Sequence, residues 1–288
     1  MPTVQLSDRT LILIEGPEAE QFLQNILTTD LDTLGRGEAK PGALLAPQGK
    51  ILFDFLISRN GAAGFRLDCR AEIADDFTRR LIMYRLRAKV EISKAEHELV
   101  AARWDFDSGA SRRESIWLTD SRFPAEAKVE RGYGEAFAAT DATEADWTAL
   151  RVAHGIVESG SDYALSDAFP HDVLFDEIGG VGLRKGCYVG QEVVSRMQHR
   201  GTARRRVMLV SAQTDLPTSG TDVRANDRSI GTLGSAVGGQ GLAIMRIDRV
   251  RDALDAEHAI TADGVPVTLS IPPWAKYTFP AAAAPGDA

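Results

Sequence analysis

Apolar and polar positions along the N-terminal part of the chain first alternate and then change to a helical spacing. Residues 3–16 (TVQLSDRTLILIEG) alternate as strands do, and Gly16 with Pro17 stops the alternation. In residues 17–27 (PEAEQFLQNIL) the apolar side chains recur at helical spacing, which predicts a helix with Pro17 in its first turn. Residues 42–70 then predict three strands, with turns at PQGK and RNGAAG.

Two further helices are predicted in the middle of the chain. Within residues 71–90, apolar side chains recur at spacings of four, four and three, at Ile73, Phe77, Leu81 and Tyr84. Within residues 143–156, Thr143 is a suitable N-cap and Asp146 completes a capping box. The stretch 91–140 between them has a mixed pattern that favours strands.

The C-terminal part has a different pattern of apolar and turn-forming residues. From Arg204 onward, short apolar runs alternate with Gly, Asp and Asn turns, which is typical of a small antiparallel barrel. We therefore expect residues 1–201 to form one region and residues 202–277 to form a small β-barrel domain. Residues 278–288, which include PAAAAPGDA, are expected to be a disordered tail.

Composition limits the function classes. The 288 residues are 44% hydrophobic and 26% charged, which is ordinary for a globular protein. The net charge of -8 argues against a general nucleic-acid binder. Two cysteines do not make a disulfide scaffold, and no targeting segment or membrane span is evident. We therefore expect a cytoplasmic protein without a membrane partner.

The segment RKGCYVGQEVVSRMQHRG, residues 184–201, places Cys187 in a glycine-rich turn before a predicted helix that ends at Gly201. The start of a helix and the neighbouring Lys185 both favour a thiolate, which is nucleophilic and binds metals. A turn cysteine can equally be a packed small residue. Cys69, in RLDCRAEI, has no such surroundings and is expected to be structural.

A run of basic residues follows Cys187. Arg196, His199 and Arg200 are candidates for binding an anion such as a phosphate or a polyglutamate tail. Residues Arg204 to Arg206 extend the run and give a route to direct RNA binding. The alternative is a solvated basic face. The five histidines show no spacing typical of a zinc site, so no metal site is predicted.

The segment KGCYVGQE, residues 185–192, resembles the signature of the YgfZ-type folate-binding proteins, relatives of the glycine-cleavage T-protein (GcvT, aminomethyltransferase). The N-terminal stretch FLQNILTTDLDTL is similar to the opening of that superfamily, and the likeness extends from Val4 to Lys276. It implies an α+β fold with a GcvT/YgfZ-like three-lobed arrangement of mixed sheets and helices, followed by a C-terminal antiparallel β-barrel. It also implies tetrahydrofolate in a central channel. We expect the protein to be a monomer.

The same resemblance implies the functional residues. Cys187 with Lys185 would carry the chemistry of an accessory factor for iron–sulfur cluster assembly or repair, whose clients include enzymes that modify tRNA. A single cysteine cannot hold a cluster alone, so any cluster would be transient and shared with a partner. Cys187 could supply one thiolate transiently, exchange with a partner's disulfide, or attack an oxidised or one-carbon adduct. Asp54 is the main candidate for lining the folate channel. Further candidates at the folate or the turn are Asn25, Thr29, Asp30, Tyr188, Gln191 and Glu192.

Two alternatives stay open. One is a folate-dependent aminomethyltransferase or demethylase, with Asp54 next to the folate. Against it, aminomethyltransferases tend to have paired acids where this chain has Phe53 and Asp54, and a glutamate in the place of Ala153. The other is a passive RNA-binding adaptor. We lean towards an accessory factor and away from an enzyme, and Asp30 can also be a simple cap.

Overall fold

The chain divides into two units, and its computed structural model describes residues 2–95, 97–105, 115–137, 140–201 and 203–280. The side chain of Arg200 lies outside this description. The units have the bounds Met1–Trp147 with Ile178–Ser195, and Thr148–Glu177 with Arg196–Ala288. The second unit therefore takes in residues 148–177, which the sequence places in the N-terminal region.

The alternating segments of the first unit form one mixed sheet of nine strands. Strands β1 to β9 are Thr3–Gln5, Arg9–Glu15, Glu38–Leu45, Ile51–Asn60, Gly64–Arg70, Glu91–Lys94, Leu99–Arg103, Ser115–Asp120 and Glu130–Gly134. Their order in the sheet is β1-β7-β9-β8-β3-β4-β5-β2-β6. β3 and β8 run parallel, and the other recorded pairs are antiparallel. The three strands predicted within residues 42–70 are confirmed as β3, β4 and β5.

The helices predicted from apolar spacing are also present. Helices α1 to α4 are Ala19–Ile26, Ala74–Arg85, Glu144–His154 and Gln191–Arg200. The capping box before α3 is confirmed, because the Thr143 N–H donates to Asp146 and the Asp146 N–H donates to the Thr143 hydroxyl. Gly201 follows α4 with φ at +57°, the left-handed conformation that favours glycine at a helix end.

The core of the first unit lies between the sheet and helices α1 and α2. Phe77 of α2 stacks on Phe53 and Phe55 of β4, with ring centroids 4.8 and 5.5 Å apart. Phe22 and Leu23 of α1 are buried in the same cluster. Each fully buried side chain of this size contributes about 1.5–3 kcal/mol, so the apolar stripe of each helix fixes it on the sheet.

Strands of the second unit form a nearly closed antiparallel barrel, which confirms the expected α+β fold with a C-terminal barrel. Strands β10 to β16 are Arg205–Ser211, Asp222–Ala225, Arg228–Val237, Gln240–Arg246, Ile260–Ala262, Val265–Pro266 and Thr268–Ser270. Helix α5, Ile247–Asp255, lies between β13 and β14 and was not predicted. Its signal was the spacing of Ile247, Val250 and Ala253, which are buried against the barrel. Of the predicted tail, residues 281–288 lie outside the described part of the chain.

Several charged side chains of the first unit form a buried cluster of ion pairs. Asp68, fully buried on β5, accepts a hydrogen bond of 2.5 Å from the Arg9 guanidinium. Asp120, at the end of β8, accepts two from Arg122, of 2.9 and 2.7 Å. Arg131 lies 3.4 Å from the Asp68 carboxylate and 3.6 Å from that of Asp120. Burial opposes the ionisation of Asp120, yet the guanidinium groups hold its pKa below the ordinary value.

Asp68→Asn tests this cluster, because it keeps the side-chain volume and removes the charge between Arg9 and Arg131. Urea denaturation should show a free energy of unfolding lower by about 3–5 kcal/mol, as for other broken buried ion pairs. The matched control is Asp75→Asn, since Asp75 is exposed and pairs with Lys94 at the surface. It should leave the denaturation midpoint unchanged. If the two variants unfold alike, the cluster does not stabilise the unit.

Candidate functional site

The glycine-rich segment around Cys187 lies in the first unit, directly before α4. Residues 181–190 form turns and irregular backbone. The Cys187 side chain is exposed, whereas Lys185 and Tyr188 on either side of it are buried. Cys69 is fully buried on β5, and burial raises the pKa of its thiol to about 12. Of the two cysteines, Cys187 therefore carries the thiol that solvent reaches.

Lys185 ties this segment to the N-terminal part of the unit. Its Nζ donates hydrogen bonds of 2.8 Å each to the carbonyl oxygens of Leu27 and Thr29, which follow helix α1. Leu27 is the C-cap of α1, where carbonyls have no partner inside the helix. Two of the three ammonium protons are thus committed to the backbone. Lys185 acts here as a positioning residue, and its expected action on the thiol stays a prediction.

Backbone contacts at Gly182 add to this tie. The Gly182 N–H donates to the Thr28 carbonyl at 2.7 Å, and the Thr28 hydroxyl donates to the Gly180 carbonyl at 2.6 Å. A Cβ at Gly182 would lie 2.7 Å from the Lys185 side chain and 2.8 Å from that of Asp30. Thr28 was not singled out from the sequence, because the chain gives no sign that it meets a residue about 150 positions away.

The two glycines of KGCYVGQE have different roles. Gly190 has φ at +79°, and a Cβ there would lie 2.6 Å from the Ala46 carbonyl oxygen. Around Gly186 an added Cβ would meet nothing within 4 Å. Gly190 is therefore needed for the close approach of the segment to the β3–β4 turn. A side chain at position 186 would therefore meet only open space.

Tyr188 packs against the positioning lysine. Its ring centroid lies 5.3 Å from Lys185 Nζ, and burial raises the pKa of its hydroxyl to about 12. The Gln191 N–H donates to the Tyr188 carbonyl at 3.2 Å, which joins the segment to the first turn of α4. Gln191 is half-buried and Glu192 is exposed. Tyr188 and Gln191 thus join the segment to Lys185 and to α4. The expected contact of Tyr188, Gln191 and Glu192 with folate stays a prediction.

Asp54 is the acidic candidate for the folate channel. It lies half-buried on β4, opposite Ala43 of β3. A carboxylate in this position can accept hydrogen bonds from the N–H edge of a pterin. Ala153, in the second unit, is exposed on α3 and offers no acceptor in its side chain. Of the paired acids and the glutamate in the aminomethyltransferase pattern, this chain therefore keeps Asp54 alone.

The other folate candidates already have partners or lie elsewhere in the unit. The Thr29 hydroxyl is buried and donates to the Pro41 carbonyl at 2.8 Å. Asp30 accepts from the Asp32 N–H at 3.2 Å and so caps a short 3-10 helix. Asn25 is exposed on α1 and lines a separate cleft. The Thr29 carbonyl accepts a hydrogen bond from Lys185 Nζ, and the charge of Asp30 acts on the Lys185 ammonium.

Two members of the basic run, Arg205 and Arg206, are paired with acids of the second unit. Arg206 is buried and donates to the Asp176 carboxylate at 2.7 and 3.0 Å. Arg205 pairs with Asp167 at 2.9 Å, which leaves Arg204 as the exposed member of this trio. The pairing was missed because the acids lie about 30 to 40 positions upstream. Arg196 and His199 are exposed on α4, and the side chain of Arg200 lies outside the described residues.

Lys185→Met tests the buried ammonium. Burial lowers the pKa of Lys185 from 10.5 to about 8, so between these pH values the unfolded chain binds more protons than the folded one. The stability of the natural protein relative to the variant should therefore rise across this window, by at most roughly 3 kcal/mol. Urea denaturation of both proteins below and above the window measures the change. A difference that does not vary with pH would contradict a buried charge.

No described helix is both long enough and apolar enough to cross a membrane. Among residues 2–280 apart from the gaps given above, no group of three or more His, Cys, Asp or Glu side chains is arranged to hold a metal ion.

Comparisons with known proteins agree with the barrel and the fold. The family model for the CAF17 C-terminal beta-barrel domain matches residues 204–277. The solved aminomethyltransferase T of the glycine cleavage system from Bartonella henselae has a TM-score of 0.70 at 16% identity, covering 95% of this chain and 86% of that one. At that identity the likeness shows the fold alone, and it confirms the expected GcvT-like architecture.

Curated relatives extend over nearly the whole chain. Iron–sulfur cluster assembly factor IBA57, mitochondrial, from Homo sapiens is 27% identical, over 94% of this chain and 84% of its own. The IBA57 homologue from Coccidioides immitis is 26% identical, over 95% and 83%. The homologue from Pyricularia oryzae is 30% identical, over 86% of this chain and 72% of its own. At that identity and coverage, the chain belongs to the IBA57 family of iron–sulfur cluster assembly factors.

Proposed function

We propose that this chain supports the assembly or repair of iron–sulfur clusters and that Cys187 is a transient ligand of the cluster it passes on. The observation that carries the proposal is the exposed thiol of Cys187 on a segment fixed by Lys185, Gly182 and Gly190. The names of the matched relatives point to the same role. The sequence KGCYVGQE supports the YgfZ type in particular.

Cluster transfer through Cys187 is a ligand exchange. The thiol releases its proton to solvent, the sulfur bonds to one iron of the cluster, and a previous ligand of that iron leaves. The Fe–S bond to Cys187 breaks when a thiolate of the client protein takes its place. No electron is transferred in either step. Because clusters are normally held by four thiolates, the remaining ligands come from the donor and the client.

Tetrahydrofolate is the small-molecule ligand that we propose for the same factor. Asp54 supports it, because a half-buried carboxylate on β4 can bind the N–H edge of a pterin. When bound, the folate supplies or accepts a one-carbon group. The exposed Ala153 argues against efficient aminomethyl transfer, since its methyl side chain accepts no hydrogen bond. An accessory role therefore fits the residues better than a transferase does.

Clients, compartment and oligomeric state complete the proposal. The clients are enzymes that contain iron–sulfur clusters, among them enzymes that modify tRNA. The factor acts as a monomer in the cytoplasm, a reducing compartment in which a free thiol persists. The relatives named above are mitochondrial. RNA binding through Arg204 to Arg206 is not part of the proposal, because Arg205 and Arg206 are paired with acids.

Cluster delivery to an apo-enzyme that needs a [4Fe–4S] cluster tests the proposed role. Cys187→Ser should lower the rate of reactivation at least about tenfold, because oxygen is a poor substitute for a thiolate at iron. Asp54→Asn should lower tetrahydrofolate binding in a calorimetric titration and leave the Cys187 thiol available. The matched thiol control is Cys69→Ala, which removes a buried sulfur and should deliver clusters as the natural protein does.

The opposite pattern of results in the two variants would favour a folate-dependent enzyme. Turnover of a methylated amine with tetrahydrofolate, lost in Asp54→Asn and retained in Cys187→Ser, would identify a folate-dependent transferase or demethylase. Normal cluster delivery by Cys187→Ser would remove the thiol from the account.

A further inference from the structure

Helix α2 ends in a cluster of exposed apolar side chains. Ile82, Met83 and Leu86 are 45, 68 and 86% exposed, although the opposite side of the same helix is buried through Phe77 and Leu81. Solvent-exposed apolar side chains are ordinary when scattered, but neighbouring ones on one surface mark an interaction site. We call residues 79–89 the α2 surface.

The backbone at Leu86 is strained without any gain from packing. Its φ of 49° and ψ of -107° put a residue with a branched side chain where Cβ is crowded by its own backbone. Elsewhere in a protein such strain is offset by contacts that the side chain makes. Leu86 is the most exposed of the three apolar side chains, so folding does not explain why leucine is there.

The loop that holds Leu86 is fixed rather than loose. Gly16 approaches it so closely that a Cβ there would lie 2.4 Å from the Lys89 carbonyl oxygen. The Glu18 carboxylate accepts the Lys89 N–H at 2.6 Å, and the Ala88 N–H donates to the Arg85 carbonyl at 2.8 Å. The backbone therefore presents Leu86 to solvent in a defined position.

A cleft lies beside Leu86, between this loop and α1. Its volume is about 330 Å³, roughly ten times the share of one water in the liquid, ~30 Å³. Its apolar lining includes Phe22, Ile26, Tyr84, Leu86 and Ala88. A concave apolar cleft beside a projecting leucine can take up an apolar side chain from a partner, as grooves that bind amphipathic helices do.

The charge of the α2 surface selects the partner. Residues 79–89 (RRLIMYRLRAK) contain five basic residues and no acidic one, in a chain of net charge -8. Arg87 and Lys89 are exposed, while Arg79 pairs with Asp76. An acidic partner complements this surface. Neither an anionic membrane surface nor a nucleic acid offers an amino-acid side chain to fill the apolar cleft, so a protein segment fits this site better.

From these observations we propose that the α2 surface docks an acidic amphipathic segment of a partner protein, with one apolar side chain in the cleft and acids against Arg87 and Lys89. The site makes no use of Cys187, so it stands apart from the proposed cluster chemistry.

The probe for this site is a fluorescent amphipathic helical peptide about three turns long. One face of its helix carries glutamates and the opposite face carries leucines. It should bind saturably, more weakly as salt increases, and the same peptide with lysine in place of glutamate should not bind. Leu86→Gly should weaken binding about tenfold while raising the melting temperature, since glycine relieves the strain. Arg87→Glu should weaken binding to a similar degree.

Matched controls use the second unit. Leu254→Ser replaces another exposed leucine and Arg228→Glu another exposed arginine, and both should bind the peptide as the natural protein does. Cys187→Ser should also bind normally, which separates this site from cluster delivery. The proposal is overturned if the glutamate peptide does not bind, or binds Leu86→Gly unchanged. It is equally overturned if phosphatidylglycerol-containing vesicles or RNA bind in an Arg87-dependent way and the peptide does not.

Discussion

A buried ammonium group, that of Lys185, holds the thiol-bearing segment of the first unit in place. Removing an ammonium from water is unfavourable unless hydrogen bonds replace its hydration. Here the carbonyls of Leu27 and Thr29 supply two of them, and Leu27 stands at the C-terminal end of α1, where a cation also meets the negative end of the helix dipole. The ammonium of Lys185 thus gives the carbonyls that follow α1 a donor, and these carbonyls replace part of the water that the ammonium loses on burial.

The consequence is an ordered segment that carries one exposed thiol. Gly182 and Gly190 let the backbone approach residues near α1 and the β3–β4 turn, and Tyr188 covers the lysine. Cys187 lies between these anchors and is exposed. A sulfur on an ordered backbone loses little conformational freedom when it binds a metal. A fixed loop therefore suits a cysteine that is proposed to bind a cluster and then release it. The α2 surface shows the same principle, with Leu86 held outward by a fixed loop.

Local patterns in the sequence predicted the elements well. Apolar spacing and the Thr143 capping box predicted α1 to α3, and Gly201 predicted the end of α4. Contacts between distant residues could not be read in this way. Lys185 was expected to act on its neighbour Cys187, yet its Nζ binds carbonyls more than 150 positions away. Arg206 belonged to a basic run in the sequence, and in the fold it is buried against Asp176.

Hydrogen exchange at the Gly182 amide tests most directly whether Lys185 holds the thiol segment. That N–H donates to the Thr28 carbonyl at 2.7 Å, so it should exchange slowly in the natural protein. In Lys185→Met it should exchange at least about tenfold faster, while the amide of the buried Leu67 in β5 keeps its protection. Equal protection of Gly182 in both proteins would show that the segment keeps its place without the buried ammonium, and would contradict the account.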